Sequence, residues 1–124
     1  MGMDELTTQR LSGGELNAAL TREVVRIHTA SLGRGPNKSF SFHNGNVVVT
    51  VLQDVLTKAE RNLADNDHGE AVLSMRSLFQ RTMAEEMKES VERLTGRDVV
   101  ACMSDSHLDP DMAVEVFILD RPLG

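Results

Sequence analysis

Tryptophan and tyrosine are absent from this chain of 124 residues, and four phenylalanines are its whole aromatic content. An interior must therefore be built from aliphatic side chains and from methionine, an adaptable space-filler that occurs seven times. A single cysteine, Cys102, excludes an internal disulfide and suits a reducing compartment. Positive charge is also short: 13 Lys and Arg stand against 19 Asp and Glu, a net −6. That balance excludes the basic patch on which non-specific nucleic-acid binding depends. No apolar run approaches the roughly 18 residues of a membrane span, so direct membrane insertion is not expected. The opening MGMDELTTQR has no apolar core of a secretory signal, and Leu6 stands where a myristoylation signal wants Ser or Thr. Phosphate-binding glycine loops, G-x-S-x-G, C-x-x-C and H-E-x-x-H do not occur. With 40% apolar and 26% charged residues, what is left is one acidic, cytoplasmic, globular domain.

Periodicity divides the chain. Residues 1–11 are polar and unpatterned, a flexible arm, and residues 12–124 form the single domain. SGGE at 12–15 has the form of a capping box, and Leu16, Ala19, Leu20, Val24, Ile27 and Ser31 then recur at helical steps. Gly33, Gly35 and Pro36 end that helix. Phe40 and Phe42 alternate with Ser39, Ser41 and His43 before an Asn-Gly turn and the β-branched run VVVTVL, which together read as a hairpin. Thr57 and Glu60 open a short helix, and Asp67 and Glu70 a longer one with a stripe of Val72, Met75, Phe79, Met83, Met87, Val91 and Leu94 ending at Gly96. DVVACMS and MAVEVFIL make a second hairpin around the polar stretch 104–111. The fold class is α+β, ordered α-β-β-(α)-α-β-β, with a four-stranded antiparallel sheet and helices packed on one face.

A sheet roofed on one side should be polar on the other. Here Val114, Val116 and Ile118 face one way while Ala113, Phe117 and Leu119 face the other, and strand 47–52 is likewise apolar on both sides. The surplus apolar face predicts a partner, most simply a second copy in a two-fold homodimer; edge packing or a misassigned helix would also account for it.

Two loops hold the chemically loaded residues. Ser104, His107, Asp109 and Asp111 sit in SDSHLDPD with Asp105 and Ser106. Their carboxylates suit a divalent cation, yet no calcium-loop spacing is present, and Asp-Pro-Asp equally opens a structural turn. Gly33, Arg34 and Gly35 offer a guanidinium and free amides to a small anion, but they follow a helix C-terminus, whose dipole repels anions. His43 lies beside the Asn-Gly turn and would approach His107 if the hairpins lay suitably. His28 and His68 read as solvent-facing or capping, and Cys102 as a buried, inert thiol. No catalytic residues, metal ligands or cofactor are assigned.

GRGP after the first helix, LTKAE after a hairpin, LTGRDVV closing a long helix and the final SDSHLDPDMAVEVFILD follow one another in order. In this the chain resembles the bacterial MpsC-like family, a domain of unknown function, from about Glu15 to Asp120. The resemblance marks Gly33 to Pro36, Thr57, Glu60, Gly96, Ser104, His107 and Asp109 to Asp111 as family features. It implies the C component of a Na+-translocating, membrane-potential-generating system linked to inorganic-carbon supply. The expected function is a non-catalytic accessory subunit, a homodimer peripheral to the membrane through a transport subunit. The alternative is a sensing domain for an anion or divalent cation.

Overall fold

The computed structural model describes residues 12–124, so the expected arm at 1–11 lies outside the described residues. Its elements are α1 (Gly13–Leu32), β1 (Lys38–Asn44), β2 (Val47–Gln53), α2 (Lys58–Asp65), α3 (Gly69–Thr95), β3 (Val99–His107) and β4 (Met112–Leu119). All neighbouring strands are antiparallel, in the order β1-β2-β4-β3, so the two hairpins join through their second strands. The expected α+β order and four-stranded sheet are both present.

The helix stops are where glycine can supply them. Gly33 caps α1 at φ 77, its amide donating to the Thr29 carbonyl, and Gly96 caps α3 at φ 68. Gly35 is needed for space rather than φ: a Cβ there would lie 2.7 Å from the Thr29 hydroxyl. Thr57 and Glu60 form the capping box expected of them. The same pattern at Ser12–Glu15 and at Asp67–Glu70 forms no box. Ser12 caps α1 in extended backbone without a side-chain bond, because Gly13 at φ 54 turns the chain into the helix instead. Asp67 is a turn residue at φ 68, which moves the cap of α3 on to His68.

The core lies between the helices and one face of the sheet. Leu16, Leu20, Val24 and Ile27 of α1 and Met83, Met87 and Val91 of α3 close over Val48, Leu52, Phe117 and Leu119. Met83 and Met87 fill the space that rings occupy elsewhere. Ser31, on the expected stripe, is exposed, whereas His28 is buried there. The first turns of α3 are also rotated from expectation: Met75 is exposed, while Arg76 and Gln80 are buried.

The reason lies in Glu60. Its carboxylate closes the α2 capping box by accepting from the Thr57 amide at 2.8 Å, and it also accepts from Arg76 at 2.7 and 2.5 Å. Arg76 spends another donor on the Val55 carbonyl at 2.8 Å. One buried arginine thus ties α2 and the segment after β2 to α3, and its partners turn that face of the helix inward. Burial pushes the Glu60 carboxyl up, but the Arg76 and Thr57 hydrogen bonds outweigh it and hold it below its ordinary 4.5.

Removing one partner of such a pair strands a buried charge. Arg76→Met should cost about 3–5 kcal/mol in urea unfolding at neutral pH. The sign with pH follows from a lowered folded-state value: this stabilisation is complete above pH 4.5 and is lost as pH falls through the lower value of the folded state. Glu60→Gln should be less stable at pH 7 and flatter than wild type below pH 4.5. Parallel curves for the two proteins would refute the assignment.

Candidate functional site

The face of the sheet turned away from the helices is apolar across its width. On β2 it presents Val47, Val49 and Val51, on β4 Val114, Val116 and Ile118, with Met112 at the end. β1 adds Phe40 and Phe42, 43% and 48% exposed and stacked with ring centroids 6.4 Å apart. β3 adds Met103, 52% exposed. Half of the chain's aromatic residues therefore stand in solvent on one surface. Strand alternation dictates this: the residues between them, Val48 and Leu52 or Ala113 and Phe117, are already buried under the helices.

The SDSHLDPD stretch divides between strand and turn. Residues 104–107 belong to β3, not to a loop, and alternate in direction. Ser104 and Ser106 face the helices, where Ser106 accepts from Gln80 at 2.9 Å; Asp105 and His107 face outward. His107 donates from Nδ1 to the Pro110 carbonyl at 2.8 Å. Asp111 turns back onto the segment after β2: it accepts from the Val55 and Leu56 amides, both at 3.1 Å, and from Arg61 at 2.6 Å. Asp109 is exposed beside a groove that it shares with Arg61, Asp65 and Asp111. Among the described residues, no three of His, Cys, Asp and Glu converge as a metal cage.

Arg34 pairs with the Asp54 carboxylate at 3.0 Å and donates to its carbonyl at 3.1 Å. Asp54 also meets Arg61 at 3.3 Å, so Arg34, Asp54, Arg61 and Asp111 form one chain of alternating charge. The two loops singled out from the sequence are thus joined, by ion pairs rather than by a shared cavity. His43 and His107 are not brought together. They lie on opposite edge strands and opposite faces, with His43 Nδ1 bonded at 2.7 Å to Asn17 of α1.

A second polar group was not visible as a site in the sequence. Glu115, fully buried in the centre of β4, faces the helices; its carboxylate accepts from the Ser104 hydroxyl and pairs with His28 Nε2 at 2.9 Å. His28, expected at the surface, is only 2% exposed, because it continues the Leu20, Val24 stripe of α1. Its Nδ1 is the one buried side-chain polar atom without a partner among the described residues. A proton there would be a buried donor lacking an acceptor, which places the ring proton on Nε2, donated to Glu115. The carboxylate sits between hydroxyl and imidazole, so the imidazole does not touch the Ser104 oxygen and cannot act as its base. Burial first, and then the Glu115 charge, push the Cys102 thiol up to about 11, which keeps it protonated and inert at neutral pH.

These contacts are internal supports and should read out as stability. Asp111→Ala loses hydrogen bonds to a carboxylate and should cost about 1.5–3 kcal/mol by urea unfolding. His28→Leu and Glu115→Leu should each cost about 3 kcal/mol, while the double variant costs less than the sum of the two. Strict additivity would mean that the pair is not coupled.

The chain was compared with known proteins. The sequence model of the family described as "Na+-translocating membrane potential-generating system (MpsC)" matches residues 12–121. The uncharacterized protein YrhF of Bacillus subtilis (strain 168) is 28% identical over 102 residues, covering 81% of this chain and 84% of that one. No solved structure matches the chain. With nearly the whole folded region matched, the chain belongs to the MpsC family.

Proposed function

We propose that this protein is a non-catalytic accessory subunit of a Na+-translocating, membrane-potential-generating system, and that it works by association. The apolar outer face of the sheet carries this reading: a continuous patch of valines, isoleucine, methionine and two phenylalanines marks an interaction surface. The conspicuous charged and polar groups, Arg34, Asp54, Arg61, Arg76, Glu60, His28, Glu115 and Asp111, are engaged with one another, which suits a scaffold. Of the residues singled out from the sequence, His107 lies at the margin of this face and is a partner contact. No helix among the described residues is long and apolar enough to cross a membrane. In this reading the protein is a cytoplasmic homodimer that reaches the membrane through a transport subunit of its system.

The outer face can be spoiled without touching the core. Phe42→Asp places a charge on an exposed strand position, so the circular dichroism spectrum should stay close to wild type. In cells lacking this chain, sodium-dependent membrane potential should fall, and a wild-type copy but not Phe42→Asp should restore it. By sedimentation equilibrium, wild type should dimerise in the micromolar range or tighter, at about −8 kcal/mol. Full restoration by Phe42→Asp, together with a wild type that stays monomeric, would defeat this function.

A further inference from the structure

We infer that two copies pack outer face to outer face about a two-fold axis parallel to the strands, each seating its Phe40 in a hollow on the other. The inference rests on the association reading above and specifies its partner, a second copy of this chain. Its basis is the uneven relief of the outer face. The protruding rings, Phe40 and Phe42, are both on β1 at one edge of the sheet. The depression lies toward the other edge: a hollow of about 300 Å³ lined by Val51, Met112 and Val114 with Asp105 and His107 of β3. The hollow reaches from Val51 of β2 across β4 to β3, and neither Phe40 nor Phe42 of the same molecule lines it.

Strand register fixes what a rotation would superpose. Phe40 pairs with Val51, Val51 with Val114 and Val114 with Asp105, so ring and hollow lie at the same level along the strands. By the same pairing, Phe42 is level with Met103, and Lys38 with His107. A two-fold axis running along the strands keeps each level and exchanges the edges. It therefore lays β1 of each copy over β3 of the other, within the roughly 30° offset usual for stacked sheets. Phe40 then enters the hollow, and Phe42 meets Met103 as an aromatic–sulfur contact. Charge agrees with shape. Lys38 is the one cationic Lys or Arg, and Asp105 the one carboxylate, among the outward-facing strand positions, and the rotation lays Lys38 over His107 of the other copy, one outward position along β3 from Asp105, twice per dimer. A two-fold axis across the strands does none of this. It stacks β1 on β1 and leaves both hollows empty. That both complementary halves occupy one surface of one chain selects a second copy over a different protein.

The test measures dimer affinity by sedimentation equilibrium alongside disulfide trapping, with circular dichroism confirming that each variant is folded. Phe40→Ala should weaken the dimer about tenfold or more, as an anchor in a pocket does. Lys38→Glu and Asp105→Lys should each weaken it several-fold, and the double variant should return to within about threefold of wild type. With Cys102→Ser as background, Phe42→Cys combined with Met103→Cys should give a covalent dimer under mild oxidation, and Phe42→Cys alone should not. A dimer indifferent to Phe40→Ala, lacking charge-swap rescue, or trapped by Phe42→Cys alone would overturn this geometry while leaving association intact. A monomer at every concentration would overturn both.

Discussion

The two central strands, β2 and β4, carry aliphatic side chains on both faces, and one layer of helices can roof only one of them. The rest of the molecule follows from this constraint. α1 and α3 supply a covering stripe of leucine, isoleucine, valine and methionine, and their aliphatic partners on the sheet are completely buried. The valines that alternate with those partners must then point away from the helices, because the pleat leaves them no other direction. Edge strands normally soften such a face with polar residues. Here β1 does the opposite, placing Ser39, Ser41 and His43 toward the helices and Phe40 and Phe42 toward solvent.

The covered layer is consequently more polar than a small domain needs. Thr21, Ser41 and Thr50 form a hydroxyl chain with contacts of 2.6 and 2.7 Å, Asn17 holds His43, Gln80 reaches Ser106, and Glu115 sits between His28 and Ser104. Each of these groups had to be withdrawn from water, and each contact regains through geometry only part of that cost. Such bonds are directional. They fix α1 over the β1 edge and α3 over β3, where purely aliphatic surfaces would tolerate sliding. The loop network works in the same way: Asp111 clips the segment after β2 through two amides and Arg61 of α2, so the second hairpin is tied to the first beside the start of α2.

Much of this architecture was legible in the sequence, for a definite reason. Both hairpins and the three helices of residues 12–124 rest on local signals, namely alternation, the Asn-Gly turn, the glycine stops and the Thr57–Glu60 box, and these survive folding unchanged. The interior polar groups depend on partners far away. Glu115 stands between Ala113 and Phe117, so alternation already placed it inward, but its partner His28 is 87 residues distant. His28 itself lies four residues beyond Val24 on the buried stripe, a signal that was available and outweighed by its polarity. The inward turn of Arg76 could not be read at all without knowing that Glu60, already committed to a cap, would be waiting for it. Likewise Asp111 had the composition of a ligand and the work of a clip, a distinction drawn only by the amides that reach it.

The division of polarity between the two faces also separates two tasks. Hydrogen bonds and buried ion pairs contribute little net free energy but penalise wrong arrangements, so they suit the inner layer, where one arrangement of helices must be chosen. Apolar contact is strong in proportion to area and weak in direction, so by itself it would let two outer faces meet in many ways. The relief of this face, with rings at one edge, a hollow at the other, and one lysine and one aspartate to match, supplies the missing direction with few polar groups. A chain that used its hydrogen bonds inside can in this way keep its outer sheet greasy and still present a surface with a preferred orientation.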